Sequence, residues 1–194
     1  MALTDILNES ELDMLYQDQD TGSISPADLR KLVSSVAPYG GVMRRSAITP
    51  YTLTATPVNL DFDSYNIPSN DLMTFDLVNN KCVIKAGGIY YVTWRLNGEW
   101  AIGDDVDIHV FLDGVEDPFA YSLTKGKNAG NPVSISVSNY PIPITVAQVA
   151  AAGGTIDLEL RISGLVSGTP AAFNIEIYNA QMEVNYASLT KDLF

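Results

Sequence analysis

The 194-residue sequence is poor in the side chains that disulfides, metal sites and acid–base catalysis require. It contains one cysteine, Cys82, and one histidine, His109. A single cysteine excludes an internal disulfide framework and a cysteine-based zinc cluster. No apolar run reaches about 18 residues, so we expect no membrane-spanning segment. The acidic N-terminus lacks the basic and apolar regions of a secretory signal. We therefore expect a protein that is made in a cytoplasm, uses no cofactor and is not an enzyme.

Basic side chains are also scarce, since 11 Lys and Arg face 23 Asp and Glu for a formal net charge of −12. Binding to phosphate backbones needs clustered basic residues, so nucleic acid is not an expected partner. Hydrophobic residues make up 46% of the chain, which is enough for a packed core and excludes global disorder. The length indicates one domain with a short appendage.

Charge and periodicity change near residue 50. Residues 1–28 carry seven acidic side chains and no basic one, whereas alternating apolar residues and Gly and Pro punctuation dominate from Tyr51 onward. We predict an N-terminal anchoring arm over residues 1–48 and an all-β domain over residues 49–194.

The arm contains a well-marked helix signal over about residues 25–37. Ser25 is a good N-cap and Pro26 suits the first helical position, while Pro38 and the following glycines end the helix. Apolar residues follow at i, i+3, i+4 and i+7, which places them on one stripe. So short a helix must pack on its own β domain or on another protein, and we favour another protein because residues 38–45 resemble a linker. The predicted docking residues are the stripe and its neighbouring basic side chains: Leu29, Leu32, Val33, Val36, Arg30, Lys31, Arg44 and Arg45.

The second part of the chain reads as a series of short strands. Residues 89–96 and 105–112 alternate cleanly between apolar and polar side chains, and Asp113-Gly114 is a turn dipeptide. The apolar phase slips within residues 172–187, which predicts a β-bulge near Asn179. Only residues 146–152 resemble a helical turn. Many short strands separated by turn signals predict a β-sandwich.

Few residues suggest a binding or catalytic site. Trp100, Asp104 and Asp105 form a candidate ligand loop, in which Trp100 is a weak candidate for stacking on a sugar. Alternation sends Asp105 and Asp107 to one face, where they could share a cation or act as a hydrolase pair; the favoured alternative is a solvated strand edge.

The remaining candidates have ordinary structural interpretations. His109 is predicted on the outward face of its strand, and Cys82 as a buried structural thiol. Residues 17–28 resemble a calcium loop whose carboxylates are out of phase by one position, which favours a helix-connecting turn.

The strand series resembles the trimeric jelly rolls of the tumour-necrosis-factor and complement-head type. The similar segments are KCVIKAGGIYYVTWRL, VDIHVFLDGV, GGTIDLELRISG and FNIEIYNAQMEVNYA. Gly88, Tyr90, Val92 and Trp94 match the family's glycine–tyrosine strand, and Gly114 matches its hairpin glycine. The resemblance covers roughly residues 51–188 and implies a TNF-like jelly-roll sandwich that forms a homotrimer.

The segment TGSISPADLRKLVSSV is similar to N-terminal attachment segments of tailed-phage fibre and decoration proteins. This resemblance implies a virion-surface protein: a capsid decoration (cement) protein or head fibre whose arm docks on the major capsid protein or another virion protein. The alternative is a tail-fibre, receptor-binding or glycan-binding module that contacts a host glycan.

Overall fold

The computed structural model describes residues 39–66, 72–127 and 131–188. The predicted helix over residues 25–37, the stripe residues Leu29 to Val36 and the rejected calcium loop lie outside the described residues. The elements are β1 (Tyr39–Arg45), β2 (Thr49–Leu53), β3 (Val58–Asn59), β4 (Ser64–Asn66), β5 (Met73–Asp76), β6 (Lys81–Ile84), β7 (Gly88–Glu99), β8 (Asp104–Leu112), β9 (Val115–Lys125), β10 (Val133–Ile144), α1 (Val146–Ala151), β11 (Ile156–Val166) and β12 (Phe173–Ser188).

The strands form two six-stranded antiparallel sheets. Sheet A has the order β10-β7-β12-β1-β4, and β2 pairs with β12 as well. Sheet B has the order β5-β6-β11-β8-β9, and β3 pairs with β11. Consecutive strands alternate repeatedly between the two sheets, which is the jelly-roll arrangement. The predicted all-β jelly-roll sandwich is therefore confirmed.

The core lies between the sheets and follows from the alternation of each strand. On β8, Val106, Ile108 and Val110 are fully buried, while the intervening side chains are only partly buried. Trp94 on β7 is also buried and donates its indole N–H to Ser122 Oγ at 3.0 Å. Burying one such apolar side chain contributes about 1.5–3 kcal/mol.

A β-bulge interrupts β12 at Tyr178. Ile177 pairs with Gly98 of β7 and Asn179 pairs with Asn97, so Tyr178 is the extra residue. The inward positions accordingly change from Ile175 and Ile177 to Ala180, Met182 and Val184. The phase slip in the sequence thus correctly predicted a bulge.

The expected linker at residues 38–45 is wrong for the residues that the structure describes. Tyr39–Arg45 form β1, which lies inside sheet A between β12 and β4. A Cβ atom on Gly41 would overlap the Phe75 ring, with Phe75 Cζ only 2.9 Å away. Glycine is therefore needed here for close packing and not for flexibility. The β domain starts no later than Tyr39, so the predicted boundary at residue 49 is too late.

The first and last described residues lie at one end of the sandwich, and the β7–β8 and β11–β12 connections lie at the other. Tyr39, where the chain enters β1, pairs with Tyr186 near the end of β12. The connections from β7 to β8 and from β11 to β12 lie at the opposite end of the sheets. The residues before 39 and after 188 are therefore joined to the same end of the sandwich.

Replacing Gly41 with Ala tests the close packing of β1. We expect Gly41→Ala to lower the free energy of unfolding by about 1–3 kcal/mol, because the added methyl group must displace the Phe75 ring. Denaturant unfolding measures the change. In a double-mutant cycle, Gly41→Ala combined with Phe75→Leu should cost less than the sum of the two single changes. An unchanged unfolding midpoint for Gly41→Ala would contradict this packing.

Candidate functional site

The predicted ligand loop does not offer an exposed aromatic ring. Trp100 is only 2% exposed and belongs to the hydrophobic core. Asp104 is 8% exposed, and its backbone carbonyl accepts a hydrogen bond from the Gly126 N–H at 2.8 Å. Gly126 closes over the indole, because a Cβ atom there would lie 2.8 Å from Trp100 Cδ1. The prediction that Trp100 contacts a sugar is therefore wrong, since its ring packs inside the fold.

Asp105 and Asp107 alternate onto the outer face of sheet B, as the sequence predicted. The register places Asp107 directly opposite Ser163 of β11, and Asp107 Oδ1 is buried with no hydrogen-bond partner in the described part of the chain. Burial raises the pKa of the Asp107 carboxyl, the nearby His109 partly opposes that rise, and the carboxylates of Asp105 and Glu116 add to it. Within the described ranges, no three potential metal ligands come together.

His109 links three strands on this face. Its Nδ1 lies 2.7 Å from Glu116 Oε1 on β9, and its Nε2 lies 2.8 Å from Ser163 Oγ on β11. The predicted outward position of His109 is correct, but neighbouring strands cover most of its side chain, which is 15% exposed.

The hydrogen-bonded series Ser163–His109–Glu116 has the same connectivity as a catalytic Ser–His–acid triad. Ser163 is nevertheless only 5% exposed and lies within the regular strand β11. The next backbone N–H, on Gly164, already donates to Thr54 O at 2.8 Å, so it is not free to stabilise an oxyanion. The arrangement therefore serves best as a hydrogen-bonded link between strands.

A second polar arrangement, which sequence reasoning missed, crosses the outer face of sheet A. Arg44 of β1 pairs with Gln181 of β12, Gln181 pairs with Arg95 of β7, and Arg95 pairs with Ser136 of β10. We call Arg44, Gln181 and Arg95 the arginine row. Asn179 and Asn97 form the neighbouring row and are joined by a hydrogen bond of 2.6 Å.

The arginine row borders a depression of about 510 Å³ next to the bulge at Tyr178. No carboxylate lines this depression among the residues that the structure describes, although the chain as a whole is strongly acidic. Arg44 and Arg95 are exposed and form no ion pair within the described ranges. The result is a local concentration of hydrogen-bond donors and positive charge.

Arg45 also lines the depression, but unlike Arg44 its guanidinium is already engaged by neighbouring side chains. Its guanidinium lies over the Tyr51 ring at 5.8 Å, donates to Thr49 Oγ1, and lies 3.9 Å from Asp61 Oδ2. The two adjacent arginines were predicted to act together in docking, but strand alternation separates their side chains. Both lie within sheet A, several residues along β1 from Tyr39.

Asp63 fixes the short connection between β1 and β2 beside the depression. Its Oδ2 accepts hydrogen bonds from the backbone N–H groups of Ser46 and Ala47 at 2.8 and 3.1 Å. These bonds, with those from the Ser46 and Ser64 hydroxyls, lower the pKa of Asp63 to about 2. The carboxylate remains charged and holds this edge in place at neutral pH.

Comparisons with known proteins identify the fold. No protein-family model and no curated protein sequence match the chain. Among solved structures, it is similar to Eiger TNF from S. frugiperda with 8% identity and a TM-score of 0.51, over 81% of this chain and 97% of that one. It is also similar to VP2 of an infectious bursal disease virus subviral particle, with 14% identity and a TM-score of 0.48 over 78% of this chain. The chain spans 33% of that VP2. A third similar structure is the PRD1 vertex protein P5, with 12% identity and a TM-score of 0.45 over 77% of this chain and 96% of that one. At these identities the TNF likeness establishes a jelly-roll fold and nothing further.

The partly buried carboxylate of Asp107 predicts a pH-dependent gain in stability when it is replaced by a neutral amide. Because burial raises its pKa in the folded state, ionised Asp107 destabilises the fold at neutral pH. We expect Asp107→Asn to raise the melting temperature at pH 7, and the gain to shrink as the pH falls and Asp107 becomes protonated. Thermal unfolding across pH 3–8 measures this, with Glu176→Gln as a control for net charge. A lower melting temperature at pH 7 would contradict it.

Proposed function

We propose that this chain is a non-catalytic structural protein of a phage virion, a homotrimeric capsid decoration protein or head fibre that attaches through its N-terminal arm. One structural observation supports this best: the pairing of Tyr39 with Tyr186 puts both tails at one end of the sandwich. The connections around residues 100–103 and 167–172 lie at the opposite end. A body of this kind can be held at one end while its other end stays accessible.

The arm supplies the proposed attachment. Its apolar stripe, Leu29 to Val36, would pack on the major capsid protein or another virion protein. Each Leu or Val side chain buried there would contribute about 1.5–3 kcal/mol to binding. Three arms in one trimer would bind more strongly through effective concentration. Arg30 and Lys31 remain charge contacts of the arm, whereas Arg44 and Arg45 lie in sheet A and are dropped from this role.

Self-association is supported by apolar side chains on β9, an edge strand of sheet B. Phe119 is 81% exposed, Val115 is 70% exposed and Leu123 is 49% exposed. Large exposed apolar groups along a sheet edge are unusual on a monomer and favour an interface. We assign this strand to the contact between copies in the proposed trimer.

A non-catalytic role fits the use of the single histidine, because His109 is engaged on both ring nitrogens between β9 and β11. No helix in the described ranges is long and apolar enough to span a membrane. We place the protein on the virion surface.

Removing the arm tests the attachment. We expect deletion of residues 1–36 to leave the jelly roll and its oligomeric mass intact but to abolish binding to virus particles in a co-sedimentation assay. Deletion through residue 45 should instead unfold the domain, because it removes β1 from sheet A.

The matched control is Ala172→Asp in the full chain, at the end opposite Tyr39, which should bind particles normally. Particle binding that survives deletion of residues 1–36 would exclude the arm as the attachment element.

Replacing Phe119 tests the proposed contact between copies. We expect Phe119→Asp to shift the mass in solution from that of three 21.0 kDa chains to that of one, because it places a charge in an apolar interface. Val78→Asp is the control, since Val78 is even more exposed than Phe119 but lies in the turn between β5 and β6. An unchanged trimeric mass for Phe119→Asp would remove β9 from the interface.

A further inference from the structure

We propose that the arginine row on sheet A binds the carboxylate of an acidic sugar, with the guanidinium groups of Arg44 and Arg95 approaching it from either side of Gln181. This recognition site is separate from the arm and from the loop around Trp100. It does not depend on the proposed attachment, because it involves different residues.

The row contains unpaired donors. Neither Arg44 nor Arg95 forms an ion pair with a described residue, and the Gln181 amide forms no hydrogen bond within the described ranges. Asn179 uses its Oδ1 to accept from Asn97, which leaves its Nδ2 free to donate. The side chains therefore present several donors and two positive charges with few competing acceptors.

The register brings these donors together. Each arginine is one strand away from Gln181, and neighbouring strands are about 4.7–4.9 Å apart. Long side chains on adjacent strands of one face are within reach of each other. Two guanidinium groups can therefore converge on one carboxylate above the central amide, in the charge-assisted geometry that arginine favours.

The depression suits a small hydroxylated anion better than a polyanion. Its volume of about 510 Å³ lies in the range of small-ligand sites. Asn179 and the row residue Gln181 supply amides that can pair with hydroxyl groups, whereas the Asn97 amide already donates to Asn179 and accepts from Ser134 Oγ. A net charge of −12 repels nucleic acids and other polyanions at longer range. The nearby carboxylate of Glu183, two residues along β12 from Gln181, accepts a hydrogen bond from Asn185 Nδ2 at 2.8 Å.

Direct binding to the full chain tests the proposal. Isothermal titration calorimetry would use methyl glucuronide and N-acetylneuraminic acid, with methyl glucoside as the neutral comparison. We expect one or both acids to bind and the neutral sugar not to bind. Binding of glucuronide alone would identify a single terminal uronic acid as the ligand, and binding of neuraminate alone would identify a terminal sialic acid.

Variants locate the site. We expect Arg44→Gln and Arg95→Gln each to weaken binding about tenfold or more, because each removes a charge-assisted hydrogen bond. Lys127→Gln makes the same charge change at an exposed position near the end of β9 and should leave affinity unchanged. Both arginines are exposed, so melting temperatures should confirm that the variants fold.

Failure of both acids to bind the full chain at millimolar concentration would overturn the proposal. The proposal would be overturned even if the cause were competition for the arginine row by the chain's own acidic residues 1–28. Equal binding of methyl glucoside, or unchanged affinity in both arginine variants, would overturn it as well.

Discussion

The bulge at Tyr178 is the constraint on which sheet A depends. It divides β12 into a first half that pairs with β2 and a second half that pairs with β1. One extra residue on β12 shifts the inward phase, so that Ile177 and Ala180 both face the core. Without that shift, one half of β12 would turn its apolar side chains to solvent and its polar side chains into the core.

The same irregularity creates the polar surface of sheet A. β1 ends opposite Ala180 and β2 begins opposite Ile177, so the chain between them leaves the edge of the sheet beside the bulge. This is where the depression lies, and Asp63 holds its rim through Ser46 and Ala47. Packing of the core and the position of the candidate binding site thus have one cause.

The sequence predicted those features whose signals are local. Alternation in β7 and β8, the phase slip in β12 and the helical turn at residues 146–152 are each visible within about 15 residues, and each prediction was confirmed. The β1 strand was missed because Gly40 and Gly41 are typical of a loop, and only the nearby Asn185 and Phe75 explain why glycine is needed there.

The site was harder to predict than the fold. The link from His109 to Glu116 is local across a hairpin, but Ser163 joins it only through the register of β8 with β11. The arginine row joins residues 44, 95 and 181, so no spacing in the sequence indicates it. Trp100 followed a strand and looked like an exposed loop residue, whereas contacts from Gly98 and Gly126 enclose it.

Under the proposed function, the end of the sandwich that bears Tyr39 and Tyr186 attaches the protein and the opposite end stays accessible. The protein is strongly acidic, and the two arginines that form no ion pair within the described ranges, Arg44 and Arg95, lie on one face of sheet A. Electron cryo-microscopy of virus particles that carry the protein tests this division most directly. Attachment through the arm predicts density in which the end of the jelly roll that bears Tyr39 and Tyr186 faces the particle and the connections near residues 100–103 and 167–172 face outward. Density with the opposite orientation would contradict it.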